Sequence, residues 1–153
     1  MVRKMRKGFT LVELLIVIVI IGILAAAMLL SSGSATDSAE ASNIISDLRG
    51  LKSACLMLYV DSMDVVNITG YTFALEHIAR YMDNPTKITA ANGYQVSAVG
   101  GQWWVGFDMT RKTAGVRQKL AGRSGSIGIY STTNVGTGNV YQGAAGTAWM
   151  IGR

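Results

Sequence analysis

The chain has little chemistry of the kind that enzymes use. Among its 153 residues there are one cysteine, one histidine and one proline. A single cysteine, Cys55, excludes an intramolecular disulfide, and its place in an apolar helical stripe favours a buried small hydrophobe over a reactive thiol. The histidine, His77, lies in a helical pattern and has no His/Cys cluster around it at zinc-like spacing. We therefore expect no catalytic residue, no metal site and no cofactor.

Acidic residues are missing from the end of the chain. Residues 111–153 carry six basic residues and no acid, whereas residues 31–110 carry eight acids and four bases. Three interpretations stay open: a solvated basic face, charge complementarity between subunits, or contact with DNA or another anionic surface. The basic residues concerned are Arg111, Lys112, Arg117, Lys119 and Arg123.

One long hydrophobic run is present near the N-terminus. From Leu14 to Leu30 there is no charged, amide or hydroxyl side chain. As a helix, residues 9–30 would be about 33 Å long, enough to cross a hydrocarbon core of roughly 30 Å. Four of the first eight residues are basic, which should hold the N-terminus in the cytoplasm and direct the rest outward. A secretory signal cut near Ala25–Ala27 is the less favoured alternative, because it would discard the whole run.

Glu13 is the one acid among residues 9–30. In a membrane helix a carboxylate either snorkels to the lipid headgroups or needs a partner. Around it the sequence reads Gly8-Phe9-Thr10-Leu11-Val12-Glu13, followed by the apolar helix. This pattern, over residues 3–29, resembles the class III signal of type IV pilins and of type II secretion pseudopilins. The resemblance implies a pilin-like α+β fold, cleavage between Gly8 and Phe9 by a prepilin peptidase, and N-methylation of Phe9.

The resemblance also implies the organisation of the chain and its partners. Residues 1–8 would be a removed leader, residues 9–30 a transmembrane and assembly helix, and residues 31–153 an extracytoplasmic globular domain. Glu13 would neutralise the Phe9 amine of a neighbouring subunit and so set the register between subunits. The implied partners are further copies in a helical filament, the peptidase and methyltransferase, and an inner-membrane assembly platform. The protein would be a single-pass inner-membrane protein before assembly and part of an extracellular pilus afterwards.

Two departures from the family pattern affect this interpretation. Leu30 stands where commoner members have a proline, which favours a more continuous helix. The last acid is Asp108, so the C-terminal loops lack the carboxylates expected of the calcium site of major pseudopilins. We therefore place a pilin ahead of a pseudopilin. The alternative from another class is a signal-anchored extracytoplasmic enzyme or binding protein that keeps residues 1–8.

The remaining sequence predicts the α+β domain in more detail. Apolar residues at steps of three or four continue the first helix from about Phe9 to about Asp61, with Gly22 and the Ser31–Ser34 stretch as weak points. A turn is predicted at Asn67–Gly70, and a short second helix between Phe73 and Met82.

Alternating segments separated by glycines then predict an antiparallel sheet packed on the helix. The predicted strands are Tyr94–Val99, Gln102–Met109, Ser126–Ser131 and Ala148–Ile151, with a hairpin turn at Gly100-Gly101. Residues 113–121 fit a strand or a short helix, with a slight preference for helix. Trp103 and Trp104 should face opposite sides of their strand, one in the core and the other exposed or covered by a neighbouring subunit.

Overall fold

The computed structural model of the chain describes residues 8–61, 74–133 and 140–152. The predicted turn at Asn67–Gly70 and most of the predicted leader, residues 1–7, lie outside the described residues. The chain divides into two compact units, Met1–Thr36 and Asp37–Arg153. The first contains the start of a long helix, and the second contains the rest of that helix and the sheet.

Helix α1 runs from Leu11 to Asp61, a span of 51 residues. This confirms the single long helix predicted from the apolar periodicity. The backbone stays helical through Gly22 and through Ser31–Ser34, so neither weak point interrupts it. A glycine costs about 1 kcal/mol relative to alanine in a helix interior, which is too little to break a helix of 51 residues.

The second half of α1 supplies one wall of the hydrophobic core. Its buried residues recur at steps of three and four, which places them on one face of the helix. They pack in one cluster with the inner face of the sheet, where Trp103, Val105 and Met150 are buried. The buried residues of α1 are Ala41, Ile44, Ile45, Leu48, Leu51, Ala54, Cys55 and Leu58.

The sheet has four antiparallel strands in the order β1-β2-β4-β3. The strands are β1 Tyr94–Val99, β2 Gln102–Asp108, β3 Ile129–Tyr130 and β4 Thr147–Ile151. The predicted hairpin is confirmed, because Gly100 and Gly101 both have positive φ, 61° and 78°, between β1 and β2. Two successive positive φ values suit glycine and match the twist of the flanking strands.

The second predicted helix is confirmed but is short. Helix α2 comprises Leu75–Ala79 and buries Ile78 and Ala79 in the domain. A 3₁₀ turn that the sequence analysis did not predict, Ala90–Asn92, precedes β1 and is capped by the Thr89 side chain.

The predicted strand at Ser126–Ser131 is largely wrong. Helix α3 covers Ala114–Ile127, and β3 is reduced to two residues. Two caps and one side-chain hydrogen bond stabilise α3, although the helix contains glycines. The Thr113 hydroxyl accepts the Val116 N–H, the buried Ser124 hydroxyl donates to the Tyr141 carbonyl at 2.8 Å, and Gly128 ends the helix in the left-handed conformation. These interactions come from tertiary neighbours and caps, so the local alternation at 126–131 does not decide the structure.

The prediction that one of the two adjacent tryptophans is exposed, or covered by a neighbouring subunit, is wrong. Both are buried, at 5% exposure for Trp103 and 1% for Trp104. Trp103 packs edge-on against Tyr59 of α1, with ring centroids 5.9 Å apart, and Trp104 packs edge-on against Tyr130 of β3, also at 5.9 Å. The two side chains do alternate across β2, but the second face of the sheet has an aromatic neighbour of its own to cover Trp104.

Candidate processing and assembly site

The Gly8–Phe9 bond lies outside the helix. Gly8, Phe9 and Thr10 are non-helical, and the Phe9 side chain is 91% exposed. Among the described residues beyond its chain neighbour Phe9, no atom lies within 4 Å of the position that a Cβ on Gly8 would occupy. The backbone of this bond is therefore open on the side that a side chain at residue 8 would cover.

Thr10 and Glu13 form a capping box at the start of α1. The Thr10 N–H donates to Glu13 Oε2 at 2.8 Å, and the Thr10 hydroxyl donates to the same oxygen at 2.7 Å. In return the Glu13 N–H donates to Thr10 Oγ1 at 3.3 Å. This reciprocal arrangement satisfies amide groups that a helix start otherwise leaves without partners, and it places negative charge at the positive end of the helix dipole.

Thr10 is the functional candidate that the sequence analysis missed. Thr10 belongs to the family pattern at residues 8–13, but that pattern by itself predicts no role for it. The signal was available, because a threonine followed three residues later by a glutamate, before an apolar run, is the sequence pattern of a capping box. The structure thus gives Glu13 a partner within its own chain, whereas the sequence analysis considered only the membrane headgroups and a neighbouring subunit.

The first part of α1 presents apolar side chains on every side. From Leu11 to Leu29 each large apolar side chain is at least half exposed. Within the described residues, α1 is the one helix long and apolar enough to cross a membrane, and no residue of its most apolar window is buried. A helix that is hydrophobic all round requires a surrounding apolar medium, either lipid or other helices.

The basic residues after Asp108 are largely used inside the domain. Lys112 Nζ lies 2.6 Å from Glu40 Oε1 of α1. Arg123 donates to the Ser42 hydroxyl at 2.7 Å and to the Ser38 hydroxyl at 3.1 Å. One ion pair and two hydrogen bonds to hydroxyls therefore tie the basic end of the sequence to α1 within the chain.

Arg117 is used in the same way, since its guanidinium donates to the Lys112 carbonyl at 2.8 Å. Arg111 and Lys119 are the members of the basic group that are exposed. Two exposed bases make a weak electrostatic footprint for a nucleic acid, which is normally bound through a cluster on one face.

The remaining candidate groups for chemistry are dispersed. Among the described residues no group of three or more histidine, cysteine or acidic side chains is placed to hold a metal ion. Cys55 lies in the core, and burial raises the pKa of its thiol to about 12. His77 is partly buried in α2 beside Glu76, at 3.9 Å. A thiol that stays protonated is a poor nucleophile.

Comparison with known proteins identifies the N-terminal segment. Residues 3–29 match the family model of the prokaryotic N-terminal methylation motif. The chain carries the prokaryotic N-terminal methylation motif. The residues that the structure brings together at the start of α1, Gly8, Phe9, Thr10 and Glu13, all lie inside the matched segment of this motif.

One curated relative is similar over a longer stretch of the chain than this motif. The chain is 39% identical, over 60 residues, to the type II secretion system core protein G of Klebsiella michiganensis. This match covers 39% of the chain and 42% of the relative, so the chain spans less than half of the length of that protein. No solved structure matches the chain. The evidence for the pilin-like α+β architecture is therefore the helix and sheet described above.

Proposed function

We propose that this protein is a structural subunit of a helical filament of the pilin and pseudopilin kind. The observation that carries the proposal is the first part of α1: an apolar helix exposed on every side, with one carboxylate at its start, inside the matched N-terminal methylation motif. Burying these helices against one another would contribute roughly 25 cal/mol per Å² of apolar surface. The same helix would hold the subunit in the membrane before assembly.

The proposed processing follows from the start of the chain. Residues 1–8 are a leader that a prepilin peptidase removes at the exposed Gly8–Phe9 bond, after which the new Phe9 amine is methylated. Residues 9–30 are the membrane and assembly helix, and residues 31–153 are the extracytoplasmic domain. Cleavage would remove four basic residues and leave a nearly neutral chain with ten basic and nine acidic residues.

Two members of this class are supported by different observations. The similarity to a type II secretion core protein G favours a pseudopilin. The lack of acidic residues after Asp108 favours a pilin, because a pseudopilin-type calcium site needs oxygen ligands with carboxylates among them. Two measurements separate these alternatives. A pilin should form filaments on the cell surface, which electron microscopy detects, whereas a strain that lacks the gene for a pseudopilin should lose protein secretion.

Processing is tested by mass spectrometry of the membrane-extracted protein. The wild type should begin at an N-methylated Phe9. Gly8→Leu should stay uncut, because a branched side chain then blocks the backbone beside the bond. Gly22→Leu is the matched control: it makes the same substitution in open space on α1 and should be cut normally. Wild-type protein that retains Met1 would refute the proposal and favour the signal-anchored alternative.

The role of Glu13 is tested by two substitutions that separate its charge from its cap. Glu13→Gln keeps a side-chain oxygen that can accept both hydrogen bonds from Thr10 but removes the charge. Glu13→Ala removes both. If the carboxylate neutralises the Phe9 amine of a neighbour, both variants should be cleaved and neither should assemble, because an unpaired amine is costly in an apolar filament core.

Thr10→Val serves as the control for the cap alone. It removes the hydroxyl and keeps the Glu13 charge, so we expect filaments in reduced amount. Filament yield is measured by shearing filaments from cells and quantifying the subunit in the pellet. Wild-type yield from Glu13→Gln would contradict the charge role and leave the capping box as the function of Glu13.

A further inference from the structure

Several exposed charges of the domain have no partner of opposite sign within the chain. Asp61 at the end of α1 and Asp83 beyond α2 are both exposed, and no lysine or arginine of the described residues forms an ion pair with either. Lys119 of α3 is exposed as well, and no carboxylate among the described residues pairs with it. These charges are therefore available for contacts with another molecule.

The acids and the lysine lie at opposite ends of the second half of α1. The start of α3 lies against the Asp37 side chain, and Arg123 near the end of α3 donates to the Ser42 hydroxyl. Lys119 lies between these two contacts, on the exposed side of α3. Because α1 rises about 1.5 Å per residue, Asp61 is roughly 30 Å beyond Ser42 along the helix. Lys119 therefore cannot reach Asp61 of its own chain.

The acidic end also has a shape that suits a lysine side chain. Asp61 lines a depression of about 520 Å³ together with Met57 and Val60, which are 53% and 64% exposed. The Tyr81 hydroxyl donates to Asp61 Oδ2 at 2.6 Å and so orients the carboxylate. Asp83 lines an adjoining depression that shares Met57 and Tyr81 with the first. A lysine can lay its methylene stem on apolar side chains and hold its ammonium group at a carboxylate beside them.

The electrostatics of the two depressions favour a cationic occupant. Lys87 is the base in their lining, and its Nζ lies 2.7 Å from Asp47 Oδ2, so these two charges neutralise each other. Asp61 and Asp83 then leave the lining with a net negative charge. An uncharged occupant would cover these carboxylates without replacing their hydration, whereas an ammonium group would pair with them.

The chain supplies a suitable cation on α3. Lys119 has no acid within ten residues on either side in the sequence, whereas Arg111, the other exposed base of this region, closely follows Asp108. The exposed neighbours Gln118 and Gly122 are uncharged, so nothing next to Lys119 on α3 would repel an acidic surface. Other exposed bases lie on α1 itself or close to Asp83 in the sequence: Arg49, Lys52 and Arg80.

We propose that, in the assembled filament, Lys119 of one copy binds the surface formed by Met57, Val60, Asp61 and Asp83 of another copy. This inference rests on the proposed function. Copies stacked in parallel along α1 bring the α3 end of one domain to the Asp61 end of the next. The contact is heterologous, so it extends a filament instead of closing a dimer. Exposed ion pairs contribute little stability, and this pair acts on how neighbouring domains are aligned.

The first experiment reverses each charge in turn. Asp61→Lys and Lys119→Glu should be cleaved and inserted normally, but sheared filament should fall about tenfold, because like charges then face each other in every repeat of the contact. Lys52→Glu makes the same reversal at an exposed lysine outside both surfaces and should assemble like the wild type. Near-ultraviolet circular dichroism of detergent-dispersed subunits checks that each variant is folded.

The second experiment combines the two reversals in one chain. Asp61→Lys with Lys119→Glu puts opposite charges together again, so filament yield should return to within about threefold of the wild type. A loss in Asp61→Lys that Lys119→Glu does not rescue would overturn the inference, since Asp61 would then act on a different base. Rescue of Asp61→Lys by Lys52→Glu would overturn it in the same way.

The outcomes separate this inference from the proposed function. If the wild type is processed but forms no filament, the proposed function fails. If the wild type forms filaments and both single reversals do so equally well, the Lys119 contact is overturned and the proposed function stands.

The third experiment maps the contact by disulfide cross-linking and leaves both charges in place. Val60→Cys is combined in turn with Gln118→Cys and Gly122→Cys, and filaments are oxidised. At least one pair should give a ladder of cross-linked subunits in filaments and none in detergent-dispersed subunits, because within one chain the two positions are too far apart for a disulfide. The single-cysteine variants are the controls and should give no ladder. Absence of a ladder from both pairs would overturn the inference.

Discussion

Gly115→Ala should destabilise the domain, although alanine is the better helix former. Gly115 is the second residue of α3, and the Asp37 side chain of α1 lies directly against its Cα. A Cβ added at Gly115 would overlap Asp37 Oδ2 and lie 2.7 Å from Asp37 Cγ. Asp37 would have to leave this position, and it would then lose the hydrogen bond that the Thr113 hydroxyl donates to its Oδ1 at 2.9 Å.

The magnitude follows from two opposing effects. Replacing glycine by alanine in a helix stabilises by about 0.5–1 kcal/mol. Losing a hydrogen bond to a charged acceptor costs about 1.5–3 kcal/mol, and the half-exposed position of Asp37 puts this loss near the lower end. The net result is a destabilisation of about 1 kcal/mol. Gly122→Ala, in the same helix with nothing within 4 Å of its Cβ position, should instead stabilise by up to about 1 kcal/mol.

The assay is thermal unfolding of the full chain in detergent, followed by tryptophan fluorescence. The two variants should differ by about 2 kcal/mol, which corresponds to Tm values about 5–10 °C apart for a domain of this size. In an Asp37→Ala background the penalty of Gly115→Ala should disappear, because the clash and the hydrogen bond are both gone. Gly115→Ala as stable as Gly122→Ala would refute the contact between Asp37 and α3.

Two further predictions concern the core and the outer face of the sheet. Burial raises the pKa of the Cys55 thiol from 9.0 to about 12, so between pH 9 and 10 the unfolded chain ionises this group and the folded chain does not. The free energy of unfolding should fall over that interval by about 1 kcal/mol more in the wild type than in Cys55→Ala, as measured by urea titration; equal pH slopes would contradict it. A Cβ at Gly106 would lie 2.6 Å from Trp149 Cε3 and 2.8 Å from Thr147 Cγ2, so Gly106→Ala should destabilise by about 1–3 kcal/mol and shift tryptophan emission. Gly125→Ala, where the space is open, should do neither, and an unchanged Tm for Gly106→Ala would show that the Trp149 ring moves freely.

The elements with a strong local signal were predicted well. The long helix α1, the β1–β2 hairpin with its two glycines, and the N-terminal motif each depend on residues close together in the sequence. The errors occurred where distant residues decide. The stretch around Ser126 alternates like a strand, but Ser124 gains a buried hydrogen bond to Tyr141, and the segment remains helical. The sequence predicts that one of Trp103 and Trp104 is exposed or covered by a neighbouring subunit, because Tyr130, which covers Trp104, is distant in sequence.

The sequence by itself determined the parts of this protein that are governed by composition and short-range order. The methylation motif, the apolar helix and the position of Glu13 follow from hydropathy and spacing, since these properties need no tertiary contact to be expressed. Only the tertiary structure decided where the charges act. It pairs Lys112 with Glu40 and seats Asp37 on α3, because folding brings together side chains more than 70 residues apart in the sequence. The exposure of Leu56, Met57 and Val60 was decided in the same way, since burial on α1 depends on which face the sheet covers.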